Sequence, residues 1–321
     1  MSWRLIAAAI LCAAAGALQA QSSFPSRPIK LVVGFAPAGA ADFVSRTLGE
    51  PLSRALGQPI VIDNRPGAGS SIAAEYVAKS APDGYTLLIA SPSSILVNPL
   101  LMKLGYDAKR DLMPVTKVTS SPLVVAVNPS VSATTLRELI EVAKRQPGKL
   151  NFASSGNGAA PHLAAVLFMK LAGVEMVHVP YKGGGPAVQS VLAGDTQLSF
   201  ATPPSVLPLV QAGRLRALAV TSRNRTPLVP GVPGMEEAGL PDYEISFWYG
   251  FFLPAGTSRE IVQKLHQETS KVLALPEVGK ALAKEGTEVS GSKSPEEFAA
   301  FIAEDAKLWT RLVRDSGVKA D

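Results

Sequence analysis

The 321-residue sequence predicts an α/β protein of two lobes, on three observations. Short runs rich in β-branched residues alternate with amphipathic helical stretches, the pattern of strands that cross over through helices in a mostly parallel sheet. That alternation comes in two sets, one from Pro28 to Ala90 and one from Leu123 to Val220. With 47% hydrophobic and 18% charged residues the chain is long enough to bury two cores, which excludes disorder.

The elements follow in order. Residues 29–33 read as a strand, 34–41 as a loop, and 42–56 as a helix with Phe43, Leu48, Leu52 and Leu56 near one face. A strand begins at 59–62, followed by a loop over 64–70 and a helix to Lys79 that Ser70 or Ser71 can cap. The run 85–90 is nearly all apolar, as in a strand covered on both faces. The second set gives strands at 123–127, 150–153, 176–179, 198–201 and 215–220, with helices at 135–145, 162–171 and 187–193. From Asn224 the chain is Pro-rich to Pro241, then forms an aromatic strand at 245–253 and helices at 258–275, 276–285 and 294–316. These last helices are expected to return and cover the first lobe. The expected division is therefore 21–120 with 223–321 as a discontinuous first lobe and 121–222 as the second, hinged near 120–122 and 220–222. The cluster from Phe247 to Phe252 is assigned to core or hinge packing, with Trp248 alternatively at a cleft mouth.

Residues 1–20 read as a cleaved secretory signal: Arg4, an apolar run too short to span a bilayer, then small residues that permit cleavage after Ala17 or Ala20. Leu11 before Cys12 argues against a lipoprotein signal, and an uncleaved N-terminal anchor is the alternative. Cys12 is the only cysteine, so the mature chain needs no disulfide in an oxidising compartment. The net charge of +5 is spread without a run of four basic residues, which points away from nucleic acid and from a polybasic membrane patch.

Small-residue loops that lead into helices carry the chemistry: 36–42, 67–71, 154–160 and 183–186. A helix N-terminus presents unpaired N–H groups and a partial positive charge, and small residues let an anion reach the backbone. Two such loops on facing lobes would clamp a carboxylate; singly, each is an ordinary tight turn. None has the Walker ending or the dinucleotide glycine spacing, and no Gly-x-Ser-x-Gly elbow occurs. Only His162, His178 and His266 are available as bases. His162 beside Ser155 reads first as a capping or packing residue at the edge of the site, and the other two read as structural. Three scattered histidines give no transition-metal set and no cofactor motif is present. Asp42 is the acidic residue best placed to act on a ligand, with stabilisation of the first helical turn as its plain role.

Taken together and in order, these segments resemble the periplasmic substrate-binding receptors of tripartite tricarboxylate transporters, the Bug receptors. The resemblance rests on 28–42, Asp63-Asn64-Arg65-Pro66-Gly67-Ala68-Gly69, 83–88, Ser154-Ser155-Gly156-Asn157-Gly158 with Pro161-His162-Leu163, 179–184, 213–221, and Trp248-Tyr249-Gly250 followed by 254–257. It implies a type II periplasmic-binding-protein fold, two α/β lobes around a central ligand cleft that closes on a small organic acid. It further implies a non-enzymatic, monomeric receptor that delivers the acid to membrane permease subunits. Carried over by the resemblance, ligand-binding positions are Phe35, Ala36, Ala38, Gly39, Ala40, Ala41 and Asp42 in one lobe and Ser155, Gly156, Asn157, Ala159 and Ala160 in the other. Ser91, Ser93, Tyr181 and Thr202 come second, and His162 touches the edge.

The sequence departs from the family pattern where Ala38 or Ala40 replaces a frequent glycine and Ala159-Ala160 replaces a frequent Thr-Ser. Gln197, Ala201 and Thr202 stand where an aspartate is common. A less polar site suggests one carboxylate on an apolar body rather than a tricarboxylate. Two other readings stay open at this point: a receptor signalling to a sensor kinase's external domain, and an enzyme on the same fold.

Overall fold

A computed structural model describes residues 24–316; the expected leader, 1–20, lies outside them. In chain order the elements are β1 (Ile29–Val33), α1 (Ala40–Leu56), β2 (Ile60–Asn64), α2 (Ser71–Ala78), β3 (Thr86–Ala90), α3 (Asn98–Leu101), α4 (Ala108–Asp111), β4 (Leu112–Pro122) and β5 (Val124–Val127). They continue with α5 (Leu136–Arg145), β6 (Asn151–Ser154), α6 (Ala160–Ala172), β7 (Val177–Pro180), α7 (Gly184–Ala193), β8 (Leu198–Ala201), α8 (Pro203–Gln211) and β9 (Arg216–Val220). The C-terminal part is α9 (Met235–Ala238), β10 (Ser246–Pro254), α10 (Arg259–Leu273), α11 (Pro276–Lys284), β11 (Glu288–Val289) and α12 (Pro295–Ser316).

Two sheets organise these elements. The first has six strands in the order β11-β4-β10-β3-β1-β2, and the second five in the order β7-β6-β8-β5-β9. Strands β1, β2 and β3 run parallel, as their βαβ connections require. Both sheets are nevertheless mixed. Strand β10 is antiparallel to β3 and β4, and β5 is antiparallel to β8 and β9. The reason is topological: β10 enters the first sheet on the return from the second and fills its middle from the opposite direction.

The chain leaves the first sheet at Pro122 and rejoins it at Ser246. Thr221 ties the two crossings together. Its amide donates to Leu123 O (2.9 Å), its hydroxyl accepts from Leu123 N (2.7 Å) and donates to Ile245 O (2.8 Å), and Ile245 N donates to Thr221 O (3.1 Å).

Helix α1 buries Val44, Leu48, Leu52 and Leu56, a four-residue stripe against the sheet, and ends at Gly57 in the left-handed conformation. Helix α5 starts at Thr135, whose side chain accepts from Glu138 N, while Glu138 reaches back to Thr134. The C-terminal helices α10 and α12 pack on β4. Trp248 is buried among Phe252, Phe298 and Phe301, with Nε1 donating to Asp305 Oδ2 (2.7 Å), so it is a core residue and not part of a cleft mouth. Alternation along β10 turns Trp248 to one face and Phe247 and Tyr249 to the other.

Among the described residues no helix is long and apolar enough to cross a membrane.

Candidate functional site

The two lobes meet at the C-terminal ends of β1, β3, β6 and β8, the crevice where open α/β sheets bind ligands. In the first lobe the β1–α1 loop is built around Asp42, which is 5% exposed. Its Oδ2 accepts from Ala38 N (3.2 Å) and Arg46 Nε (2.9 Å), and its Oδ1 accepts from Asn64 Nδ2 (3.1 Å), which also donates to Phe35 O (3.1 Å). Burial alone would raise this carboxyl, but the bonds from Arg46, Ala38 and Asn64 outweigh it and hold Asp42 below the usual carboxylate range. The partners of Asp42 are thus protein groups, and the residue shapes the loop that a ligand would meet. Gly39 stands at the N-cap of α1 and brings no side chain to cap it. Tyr249 lies beneath this turn; burial pushes its hydroxyl up, against a hydrogen bond with the backbone at Ala41.

The loops after β2 and β3 supply hydroxyls. Ser70 occupies the N-cap position of α2 but its side chain makes no cap bond. Ser70, Ser91 and Ser94 are buried, and their hydroxyl oxygens have no hydrogen-bond partner; the same holds for Asn98 Oδ1. Unpaired buried groups of this kind are uncommon and call for a ligand or water. Asn98 Nδ2 braces the neighbouring loop through Ser71 Oγ (2.7 Å), Ala68 O (3.0 Å) and Gly69 O (3.2 Å). Residues Ser93–Val97 form a π-helical turn, a local irregularity that recurs at functional sites.

In the second lobe Ser154 Oγ accepts from Gly156 N (3.1 Å) and lies 2.6 Å from His178 Nε2. His162 Nδ1 accepts from Gly158 N (3.2 Å), and its ring stacks on that of His178 with centroids 3.8 Å apart. These contacts brace the loop 154–160, so His162 shapes the wall of the site. Ala159, the N-cap of α6, makes no side-chain cap bond.

The lobes touch. Ala36 N donates to Lys182 O (3.0 Å), and Ala160 N donates to Ser93 Oγ (3.1 Å). These bonds bring the 35–42 loop to 182–185 and set Ser93 against the 155–160 loop. Two expected positions have protein partners for their hydroxyls: Tyr181 Oη donates to Ser190 Oγ (2.7 Å), and Thr202 Oγ1, beside Gly184, pairs with Ser205 Oγ (3.0 Å). Ser70, Ser94, Asn98 and Tyr249 belong to the site region but were not singled out from sequence. The sequence offers Ser70 as a cap; in the structure it sits at φ of 77° at the end of a glycine-rich loop and makes no cap bond. Among the described residues no cluster of His, Cys, Asp or Glu can hold a metal.

Two α/β lobes that meet at loops carrying unpartnered buried hydroxyls are the architecture of a solute-binding receptor. Comparison with known proteins agrees. Residues 44–318 match the family model described as tripartite tricarboxylate transporter family receptor, and the chain belongs to that family. It is 38% identical over 299 residues to Protein BugT of Bordetella pertussis, covering 92% of this chain and 91% of BugT. Among solved structures it is similar to R. palustris Rpa4515 with adipate, at TM-score 0.87 and 34% identity, over 92% of this chain and 99% of that one. It is likewise similar to MatC from Rhodopseudomonas palustris with bound malate, at TM-score 0.86 and 32% identity, over 90% and 100% of the two chains. The family is one of binding receptors, so the protein is a receptor and not an enzyme.

Proposed function

We propose that this receptor captures a small organic carboxylate in the periplasm, closes its lobes on it and delivers it to the permease subunits of a tripartite transporter. The observation that carries the reading is the set of three unpartnered buried hydroxyls, Ser70, Ser91 and Ser94, in the loops after β2 and β3, beside the junction where Ser93 Oγ takes the Ala160 amide of the other lobe. Backbone amides stabilise an anion without a cationic side chain, and serine hydroxyls complete its shell. The acids in the two solved relatives, adipate and malate, fit this donor set in kind. The alanines at 159 and 160 remove hydroxyls from the second lobe, which favours a single carboxylate on an apolar body over a tricarboxylate. Export through the leader at 1–20 and a monomeric state complete the proposal.

Calorimetric titration of the mature protein with citrate, malate, adipate and benzoate tests it. One acid binding at one site per chain is the expected result. Citrate binding far tighter than any monocarboxylate contradicts the preference for one carboxylate, and an uncharged sugar or an amine binding in place of every acid contradicts the carboxylate reading itself.

A further inference from the structure

The lobe junction is built from backbone, and one glycine in it has no local reason to be glycine. A Cβ on Gly158 would stand 2.2 Å from Asn98 Oδ1, and one on Gly183 would stand 3.0 Å from Ala36 N. Both residues have positive φ, 68° and 150°, so their own loop already demands glycine. Gly185 differs. It is the second residue of α7, its φ is not positive, and alanine is the better helix former there. The atoms a Cβ on Gly185 would crowd all lie in the other lobe: Ala38 O at 3.1 Å, Ala38 C at 3.2 Å and Pro37 O at 3.3 Å.

That opposing surface has little freedom to retreat. Ala38 is itself held at φ of 63°, and its amide is bonded to Asp42, which Arg46 and Asn64 hold in turn. Pro186 follows Gly185, and a Cβ before proline is disfavoured in helical geometry. This does not explain the glycine, because Ala160 before Pro161 and Leu207 before Pro208 carry a Cβ at helical positions of the same chain.

We propose that Gly185 is a positioning residue for ligand capture: its missing side chain lets α7 seat against the Asp42-braced loop 36–39, and so sets how far the lobes close. This rests on the reading that capture proceeds by closure. The effect on affinity follows because a ligand's apparent affinity falls with the fraction of receptor able to adopt the closed form.

The test labels Glu50→Cys and Glu141→Cys, one exposed site per lobe, in the otherwise cysteine-free mature chain, and measures the distance between labels. The probes are malate, adipate, citrate and benzoate. In the parent, one acid shortens the distance. In Gly185→Ala the same shortening requires about tenfold more acid or is lost, while the melting temperature without ligand is unchanged or higher. The pair Pro186→Ala and Gly185→Ala/Pro186→Ala shows the same difference, which separates the lobe contact from the proline effect, and Gly279→Ala behaves as the parent. Closure of Gly185→Ala at the parent's acid concentration overturns the inference and leaves the receptor reading standing. A parent that closes with none of the four acids contradicts both.

Discussion

Asp42 holds Ala38 in the left-handed conformation: the Ala38 amide donates to Asp42 Oδ2 at 3.2 Å while Ala38 sits at φ of 63°. A non-glycine residue there is strained, and the strain persists because a buried carboxylate with two further donors fixes the loop. The shape of the first-lobe wall is therefore set by a side chain whose own bonds go to protein. Sequence reasoning places Asp42 at the ligand or in the first helical turn; in the structure its bonds go to Ala38, Arg46 and Asn64.

Replacing Asp42 by alanine releases Ala38, Asn64 and Arg46 together. We expect ligand affinity to fall and stability to drop by about 1–3 kcal/mol, measured by titration and urea unfolding. The folded-state carboxyl lies below its ordinary 3.8, so its stabilisation is complete at neutral pH and is lost as pH falls through that lowered value. Unchanged affinity in Asp42→Ala would remove the loop from the site.

Thr221→Val removes the hydroxyl that bonds Leu123 N and Ile245 O at the two crossings. Both groups are then left short of a partner, at a cost of about 2 kcal/mol. Urea denaturation checks the cost. The ligand-induced change in scattering radius should also alter, since these segments carry any motion between the lobes; an unaltered change places the hinge elsewhere.

His178 gives the fold an acid limit. Burial, aided by the neighbouring His162, pushes its pKa down from 6.5 to about 3. An unfolded histidine takes up its proton near 6.5 and the folded one only near 3, so falling pH across that window favours unfolding. Stability should therefore rise with pH between those values, and His178→Gln should flatten the rise. The unfolding midpoint in urea, followed against pH, is the measurement; equal slopes for parent and variant refute the assignment.

Asp305 accepts from two indoles, Trp248 Nε1 at 2.7 Å and Trp309 Nε1 at 2.9 Å, and so fastens α12 to β10. Burial raises its carboxyl, opposed by those two bonds and by Lys117. Asp305→Ala leaves two buried donors unpaired and should cost about 3 kcal/mol. Tryptophan emission during urea unfolding reports it, and a midpoint equal to the parent's would show that the bonds add nothing.

The legible parts of the chain are those with strong local signals. The strand at 29–33 coincides with β1 because four buried residues, interrupted only by Lys30, are written as an apolar, β-rich run. Strand β4, by contrast, was not read from sequence. It contains Pro114, Lys117 and two serines, and it is a strand because β10 pairs along its length from a position over a hundred residues away. Helix α8 was missed for its three prolines, two of which fill the first turn, where no N–H is needed. The loops of the site were legible as small-residue runs before helices. Ser70, Ser94 and Asn98 were not, since a serine that fails to cap looks in sequence like one that does.

Native mass spectrometry of the mature protein purified from the periplasm tests the receptor reading most directly. It should show a species heavier than the chain by one small organic acid, and denaturation should release that acid chemically intact. A protein that carries no acid and acquires none from a mixture of carboxylates, or one that releases a chemically altered acid, would contradict it.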